Sequence, residues 1–166
     1  MSPEEQLLCG YAEQLGKLLM QFGHRLAVAE SCTGGWMCQC VTAIPGSSAW
    51  FDRGFVTYSN DAKVQMLGVP EVLLLSEGAV SEATVRAMVT GVLQHSPADC
   101  AIAVSGIAGP AGAVPGKPVG TVWLAWQRRG EETCSRCEHF AGDREAVRRQ
   151  AVIAGLQGMS ALYGRG

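Results

Sequence analysis

Two residues of the sequence, Ser31 and Lys63, have the types and positions that serine–lysine chemistry requires. Ser31 follows the apolar run 25–30, which predicts a buried strand, and Lys63 lies in the first turn of a helix predicted to begin near Ser59 or Asn60. The positive end of a helix dipole and partial burial both disfavour an ammonium group, so we expect the pKa of Lys63 to fall toward neutrality. A neutral lysine can replace histidine as the base that activates a serine. On residue type alone, a surface lysine and an ordinary helix-capping serine remain alternatives.

The residues around Ser31 are suited to binding an anion. Thr33, Gly34 and Gly35 open a predicted helix directly after the strand, where backbone N–H groups have no intrahelical acceptor. Such groups bind a phosphate or the oxyanion of an acyl-transfer intermediate, and glycines let that anion approach closely. The alternative is that Ser31 or Thr33 only caps the helix and that the glycines serve the turn.

Tyr58 ends the second predicted strand and precedes the helix that carries Lys63. Its hydroxyl could form a hydrogen bond with the lysine amine and orient it. Three histidines lie away from the strand exit at Ser31: His24, His95 and His139. Lys63 is therefore the better candidate for the base.

A glycine- and proline-rich loop follows the third predicted strand. It begins at Ser105 and Gly106, continues through Gly109 and ends near residue 118, which is too long for a tight turn. In α/β folds, ligands bind beyond the carboxyl ends of the strands, so this loop is expected to wrap a ligand. Its sequence matches neither a Walker loop nor a dinucleotide fingerprint, which leaves the ligand open.

Composition places the chain among globular proteins and argues against several functions. It has 166 residues, 48% of them hydrophobic and 17% charged, with a net charge of −2, so we expect one domain over residues 1–166. The charge gives no reason to expect a nucleic-acid partner. No signal-peptide pattern and no apolar run of membrane-spanning length occur, so we expect no membrane partner and a cytoplasmic location.

The cysteines indicate a reduced intracellular chain. There are seven, an odd number, scattered through predicted regular structure. Cys134 and Cys137 form one Cys-x-x-Cys pair in a predicted strand, where residues three apart point to opposite faces, and only His139 is near. We expect no metal and no cofactor.

Strands and helices alternate along the chain. A capping box at Ser2 with Gly23 as the stop predicts a first helix, and Asp143 is expected to cap the last one. The predicted strands are 25–30, 49–58 (with Gly54 at a possible bulge), 99–106, and a hairpin formed by 120–127 and 132–140. This order predicts an α/β domain with a mixed sheet covered on both faces.

Six ordered blocks of the sequence resemble one family, the C-terminal domain of the competence/damage-inducible protein CinA. The resemblance runs from about residue 5 to residue 160. The blocks are AESCTGG (29–35), GSSAWFDRGFVTYSNDAK (46–63), GAVSE (78–82), AVSGIAGP (103–110), KPVGTVW (117–123) and FAGDREAVR (140–148).

The resemblance implies a three-layer α/β/α sandwich and the chemistry of the stand-alone members, which are nicotinamide-nucleotide amidases. They hydrolyse the carboxamide of nicotinamide mononucleotide to nicotinate mononucleotide and ammonia, a step of pyridine nucleotide salvage. It also implies a metal-free mechanism carried by Ser31, Tyr58 and Lys63. Many members have an N-terminal molybdopterin-binding-like domain, and we expect this chain to resemble the stand-alone members without it. Two alternatives stay open: a non-catalytic nucleotide-binding module, and a serine–lysine amidase for another amide.

A set of residues in these blocks is expected to bind the substrate. They are Glu30, Thr33, Gly34, Gly35, Ser105, Gly106, Gly109 and Arg144. Among them Arg144, in the first turn of the last helix, is the candidate for the substrate's phosphate, since a cation there gains nothing from the helix dipole. Arg148 and Arg149 are expected to face solvent.

Two further expectations concern the loop and the oligomeric state. The family loop usually reads Gly-Pro-x-Gly-Gly followed by a hydroxyl residue, whereas here Ala113 and Val114 follow Gly112. If the replaced glycine needs a positive φ, Ala113 must strain or reshape the loop. Trp123 and Trp126 either enter a subunit contact or lie on opposite faces of a covered strand; we expect a homo-oligomer, a dimer.

Overall fold

The structure is a computed structural model and describes residues 1–164. Within that range it forms six α-helices, five strands and one 3₁₀ turn. The helices are α1 (Pro3–Phe22), α2 (Trp36–Thr42), α3 (Asn60–Leu67), α4 (Glu71–Glu77), α5 (Glu82–Gln94) and α6 (Arg144–Gly164). The strands are β1 (Leu26–Glu30), β2 (Phe51–Val56), β3 (Cys100–Gly106), β4 (Thr121–Arg128) and β5 (Cys134–His139), and the 3₁₀ turn is Ser47–Ala49.

The five strands form one mixed sheet in the order β2-β1-β3-β4-β5. Strand β1 runs parallel to both β2 and β3, and β4 and β5 add an antiparallel hairpin beside β3. Glu30, the last residue of β1, is in register with Val56 on one side and Val104 on the other. The segments that follow these three strands therefore emerge at the same edge of the sheet.

Side-chain size differs between the two faces of the sheet. The face covered by α1, α2 and α6 carries large residues, such as Val28, Ile102 and Leu124. The face covered by α5 carries alanines at Ala27, Ala29, Ala101, Ala103 and Ala125, and their small side chains leave room for α5 to lie close to the strands. Both faces are buried, which confirms the predicted α/β/α architecture with a mixed sheet.

The residues predicted to begin and end helices make the expected hydrogen bonds or adopt the expected backbone conformation. The Ser2 N–H donates to the Glu5 carboxylate and the Glu5 N–H donates to the Ser2 hydroxyl, at 2.7 and 3.1 Å, which completes the capping box. Gly23 ends α1 with φ of 67°, a conformation that favours glycine. The Asp143 carboxylate accepts from the Ala146 N–H and caps α6 as expected.

Two local features differ from the predictions. The prediction of a bulge at Gly54 is wrong. The register of β1 and β2 shifts between Leu26 and Ala27. Gly54 instead leaves room for the Cys38 sulfur of α2, because it has no Cβ. Helix α4 was not predicted because it is short and exposed, with Leu74 as its one buried residue, so it has little hydrophobic periodicity.

The two tryptophans of β4 lie on opposite faces of the sheet. Trp126 is buried under α6, where its indole N–H donates to the Gly155 carbonyl at 2.8 Å, and Trp123 packs on the side of α5. Packing within one chain thus accounts for both side chains, and the dimer stays a prediction.

All seven cysteines are free thiols. Among residues 1–164, no helix has the length and apolar composition to cross a bilayer.

Helix α6 can lie against β4 because Gly158 faces the Trp126 indole. A Cβ on Gly158 would collide with that ring, whereas a Cβ on Gly10, inside α1, would meet nothing within 4 Å. We expect Gly158→Ala to lower the free energy of unfolding by about 1–3 kcal/mol, because overpacking a rigid ring outweighs the gain in helix propensity. Gly10→Ala is the matched control and should raise it by roughly 0.5–1 kcal/mol. Urea unfolding measures both; a stabilising Gly158→Ala would contradict the packing described.

Candidate active site

Lys63 is buried at the carboxyl edge of the sheet and contacts Ser31. It is the fourth residue of α3, which begins after Ser59, whose hydroxyl accepts from the Ala62 N–H. Its side chain is 1% exposed. The Lys63 Nζ lies 3.0 Å from the Ser31 Oγ, 2.9 Å from the Thr57 carbonyl oxygen and 3.2 Å from the Tyr58 carbonyl oxygen. The predicted pairing of Ser31 with Lys63 is therefore present in the structure.

Burial shapes the electrostatics of this lysine. It lowers the pKa of Lys63 from 10.5 to about 8, because the charged ammonium loses hydration that three neutral oxygens replace only in part. No carboxylate lies among its hydrogen-bond partners in the described residues. The expectation of a lowered pKa is met, with burial as its cause.

The three contacts of Lys63 suit a general base. A neutral amine has two N–H donors and one lone pair, and the Thr57 and Tyr58 carbonyls can take both donors. The lone pair is then left for the Ser31 hydroxyl, which can donate its proton along the 3.0 Å contact. In the ammonium form the same contact runs the other way, with Nζ donating to Oγ. Loss of one proton thus converts the pair into a base and its nucleophile.

Glu30 does not contact the cavity, contrary to the expectation that it binds substrate. Its side chain is fully buried, and its two carboxylate oxygens accept from the Met37 and Cys38 N–H groups at 2.9 and 3.0 Å. The carboxylate accepts hydrogen bonds from N–H groups at the N-terminus of α2 that have no intrahelical acceptor, and the helix dipole favours a negative charge there. Glu30 therefore fixes the position of α2 behind the Ser31 segment.

The Ser31–Gly35 segment is a tight turn. One of the backbone N–H groups that were expected to bind an anion is occupied within this turn. The Gly34 N–H already donates to the Ser31 carbonyl at 3.1 Å, and neither Gly34 nor Gly35 lines the cavity. Both glycines have positive φ, 58° and 101°, so they serve the turn. Within the described residues, the Cys32 and Thr33 N–H groups donate to no protein acceptor. Cys32 lines the cavity whereas Thr33 is fully buried, so the oxyanion donor is better assigned to the Cys32 N–H than to Thr33 or the glycines.

Tyr58 touches Lys63 through its backbone and not through its side chain. Its carbonyl accepts from the Lys63 Nζ, while its hydroxyl, on a 62% exposed side chain, accepts from the Arg144 Nη2 at 3.3 Å. The expectation that the Tyr58 hydroxyl orients the amine is wrong, because the strand end directs the ring outward to the cavity mouth.

A cavity of about 300 Å³ opens beside Ser31 and Lys63. Ser105, Gly106 and Gly109 line it, as expected, with Cys32 and the apolar residues Ala79, Val80, Ile107 and Ala108. Burial raises the pKa of the Cys32 thiol to about 11, so this neighbour of Ser31 stays protonated and is a poor nucleophile. Larger hollows lie elsewhere on the surface, for example between α1 and α2, but they lack the serine–lysine pair.

Two arginines of α6 reach this edge of the sheet. Arg144 lines the cavity and donates to the Gly109 carbonyl at 2.7 Å. Arg148 was expected to face solvent, which is wrong: it is half-buried and donates to the Cys32 and Thr33 carbonyls. Arg149 lies near Glu4 and Glu145 at 3.9 and 3.6 Å, away from the cavity.

The loop after β3 accommodates Ala113 without strain. Every residue with positive φ in the described chain is a glycine, including Gly109 and Gly112. Of the two expected outcomes, strain at Ala113 is absent because its φ is not positive, and a reshaped loop stays a prediction. The Lys117 ammonium donates to the Glu77 carbonyl at 2.7 Å and ties this loop to the end of α4.

Comparison with known proteins places the chain in a family. The family model described as the CinA C-terminal domain matches residues 9–163. The chain belongs to the CinA C-terminal domain family. A Pseudomonas putida protein named nicotinamide-nucleotide amidohydrolase PncC is 55% identical over 151 residues, covering 91% of this chain and 94% of the relative. The protein of the same name from Escherichia coli K12 is 54% identical, with 88% of each chain covered.

Solved structures of the family have the same fold. A CinA-superfamily protein from Klebsiella pneumoniae 700603 superposes with a TM-score of 0.92 at 40% identity, covering 96% of this chain and 99% of that one. The α/β/α architecture is thus shared with relatives of nearly the same length.

Sequence reasoning missed three parts of this CinA-family site. These are the capping role of Glu30, the two carbonyls that hold Lys63, and the hydrogen bonds of Arg148 to the Ser31 segment. A carboxylate at the end of a buried strand, six residues before a helix, was the one available signal for the first. The other two depend on contacts across the chain that residue spacing does not specify.

The lowered pKa of Lys63 makes stability depend on pH. Between about 8 and 10.5 the unfolded chain holds a proton on Lys63 that the folded chain has lost, so stability increases as pH rises through that window. The unfolding free energy of wild type minus that of Lys63→Met should therefore grow by on the order of 3 kcal/mol between these pH values. Urea unfolding at several pH values measures it.

Lys17→Met is the matched control. The Lys17 side chain is 73% exposed, so water solvates it in both states and its difference from wild type should stay constant. A flat difference for Lys63→Met as well would show that burial does not disfavour the Lys63 ammonium.

Proposed function

We propose that this protein is a nicotinamide-nucleotide amidase. It hydrolyses the carboxamide of nicotinamide mononucleotide to nicotinate mononucleotide and ammonia, a reaction of pyridine nucleotide salvage. The observation that carries the proposal is the 3.0 Å contact between the Lys63 Nζ and the Ser31 Oγ inside a cavity, with the other Nζ contacts made by carbonyls. The names of the PncC relatives supply the substrate.

The first half of the reaction forms an acyl-enzyme. The Ser31 Oγ attacks the carboxamide carbon while the neutral Lys63 Nζ takes its proton. Negative charge develops on the carbonyl oxygen, and the Cys32 N–H at the cavity stabilises it. As the C–N bond breaks, the Lys63 ammonium gives its proton to the departing nitrogen, which leaves as ammonia.

The second half releases the acid. Lys63, neutral again, takes a proton from a water molecule that attacks the nicotinoyl ester carbon. The bond from carbon to the Ser31 Oγ then breaks, and Oγ recovers a proton from Lys63. The residues return to their starting protonation states, and the net reaction consumes one water. No step in this scheme uses a metal or a cofactor.

The lining of the cavity suits an anionic nucleotide with an apolar ring. Lys63 and Arg144 are the charged side chains among the described residues that line it, and both are basic. Arg144 lies at the mouth, where it can bind the phosphate with N–H groups beyond those given to Gly109 and Tyr58. The wall at Ala79, Val80 and Ile107 provides apolar contacts for the pyridine ring. The Ser105 hydroxyl is buried at the cavity and can form a hydrogen bond with the carboxamide.

Ammonia release from nicotinamide mononucleotide tests the proposal. Ser31→Ala and Lys63→Arg should each lower kcat by a factor on the order of 10³ or more, the second because arginine does not deprotonate. For wild type, kcat/KM should rise with pH and level off above a pKa of about 8, since Lys63 acts only when neutral.

A panel of other amides accompanies this assay. Turnover of another amide alone, with the same dependence on Ser31 and Lys63, would support a serine–lysine amidase of different specificity. Tight nucleotide binding with no turnover of any amide would support the non-catalytic module instead. Full activity of Lys63→Arg would remove Lys63 as the base.

Arg144→Ala should raise KM for the mononucleotide about 10- to 100-fold with kcat changed little, the size of a lost charge-assisted hydrogen bond. Nicotinamide riboside, which lacks the phosphate, provides the matched comparison: wild type and Arg144→Ala should use it equally well. An equal loss on both substrates would show that Arg144 acts on something other than the phosphate. Tyr58→Phe should raise KM for the mononucleotide by a smaller factor, because the Tyr58 hydroxyl contacts Arg144.

A further inference from the structure

Four residues join helices α4 and α5 and form one wall of the cavity beside Ser31. They are Gly78, Ala79, Val80 and Ser81. Ala79 and Val80 line that cavity, whereas Gly78 and Ser81 stand at the two ends of this apolar wall. The distance between the wall and Ser31 therefore depends on how the end residues are held.

The Gly78 carbonyl oxygen accepts hydrogen bonds from hydroxyl groups at the start of α5. The Thr84 Oγ1 lies 2.7 Å from this oxygen and the Ser81 Oγ lies 3.0 Å from it. The Ser81 proton can also go to the Thr84 Oγ1, which is 3.0 Å away, so Thr84 is the donor with the shorter and undivided bond. Thr84 is fully buried and Ser81 nearly so, which leaves water little access to these bonds.

These bonds set the orientation of the peptide group between Gly78 and Ala79. Gly78 has φ of 80° and ψ of 169°, a backbone conformation that only glycine adopts readily. Because glycine moves easily between conformations, the direction of its carbonyl is decided by the donors that bind it. The peptide is planar, so fixing the carbonyl also fixes the N–H and Cα of Ala79, where the wall begins.

We propose that Thr84 is a positioning residue that sets the place of the apolar wall and thereby the selectivity of the cavity for a flat ring. Thr84 lies outside the residues that line the cavity, so it acts on the substrate through Ala79 and Val80. The inference rests on the proposed role of Ser31 as nucleophile. It assigns recognition of the ring-bearing acyl group to a hydroxyl behind the wall.

Replacing that hydroxyl by a methyl group should displace the wall. A carbon atom approaches a carbonyl oxygen to about 3.3 Å, so in Thr84→Val the Gly78 carbonyl must move by roughly 0.6 Å from its 2.7 Å contact. Valine has nearly the shape of threonine, and Val85, Met88 and Val89 keep α5 buried against the sheet. The helix should therefore stay in place while Ala79 shifts.

The first test compares the kinetics of Thr84→Val and Thr90→Val in the full chain. Thr90 lies on the same helix, and its exposed hydroxyl donates to the Arg86 carbonyl of that helix at 3.1 Å. We expect Thr84→Val to raise KM for nicotinamide mononucleotide roughly 3- to 10-fold with kcat within about twofold, because the ring loses apolar contacts made equally in ground and transition states. Nicotinamide riboside carries the same ring and should show the same factor. Thr90→Val should match wild type on both substrates.

Labelling of Ser31 by fluorophosphonates makes a second test that needs no nucleotide. The Ser31 Oγ bonds to phosphorus, fluoride leaves, and Lys63 takes the serine proton. A benzyl phosphonate places a ring where an acyl group would lie and a methyl phosphonate does not, so the ratio of their labelling rates reports on the wall. This ratio should fall roughly 3- to 10-fold in Thr84→Val and stay unchanged in Thr90→Val. If nicotinamide mononucleotide were not hydrolysed but this pattern held, the amidase proposal would fail and the role of Thr84 would stand.

Thr84→Ser separates positioning from stability. Serine keeps the hydroxyl but loses a buried methyl group, so this variant should unfold at lower urea concentration while its KM and labelling ratio stay near wild type. Thr84→Ala removes the hydroxyl without the clash of a methyl group against the carbonyl. It serves if Thr84→Val does not fold, and its labelling ratio should fall at least about twofold.

Three results would overturn the proposal. The first is a KM and a labelling ratio at the wild-type level in Thr84→Val, or in Thr84→Ala if only that variant folds. The second is a loss in Thr84→Val that lies wholly in kcat. The third is a Thr84→Ser variant as impaired as Thr84→Val, since the effect would then follow the packing of the methyl group and not the hydroxyl.

Discussion

The burial of one amine, that of Lys63, is the constraint on which the site depends. A lysine that is 1% exposed must replace its water with protein acceptors, and here those acceptors are the Ser31 hydroxyl and the carbonyls of Thr57 and Tyr58. Two of them lie at the end of β2 and one follows β1, so the parallel pairing of these strands brings the three oxygens together. The same burial that disfavours the ammonium produces the neutral amine that can act as a base.

A base of this kind is useful only if its nucleophile is held still. The segment after β1 is fixed from two directions: Glu30 binds the N-terminus of α2 behind it, and Arg148 of α6 binds its carbonyls from outside. Both groups carry charge, yet neither lines the cavity. These charges hold the geometry of the turn, while the Cys32 N–H at the cavity beside Ser31 has no protein acceptor among residues 1–164. Such preorganised donors are what acyl transfer requires, because they need not reorient when negative charge develops.

The unequal faces of the sheet shape the cavity. Alanines on one face let α5 lie close to β1 and β3, and the segment that enters α5 brings Ala79 and Val80 to the cavity wall. On the other face, α6 brings Arg144 to the cavity mouth. The apolar wall and the basic mouth therefore come from opposite layers of the sandwich, with the serine–lysine pair at the sheet edge between them. A ligand with an apolar ring and a distant anionic group matches this division.

Sequence alone determined the elements other than the short helix α4, the α/β/α order and the serine–lysine pair. Caps, apolar runs and strand exits are local signals, and parallel strands end at one edge of a sheet. It did not determine how the pair is held. The Tyr58 side chain turned out to face the cavity mouth while its carbonyl holds Lys63, Glu30 caps α2, and Arg148 binds a turn 116 residues away in the chain. The direction of a side chain is set by which distant group can satisfy it once the layers pack. That choice is made by the tertiary structure, since residue spacing carries no information about partners on another layer.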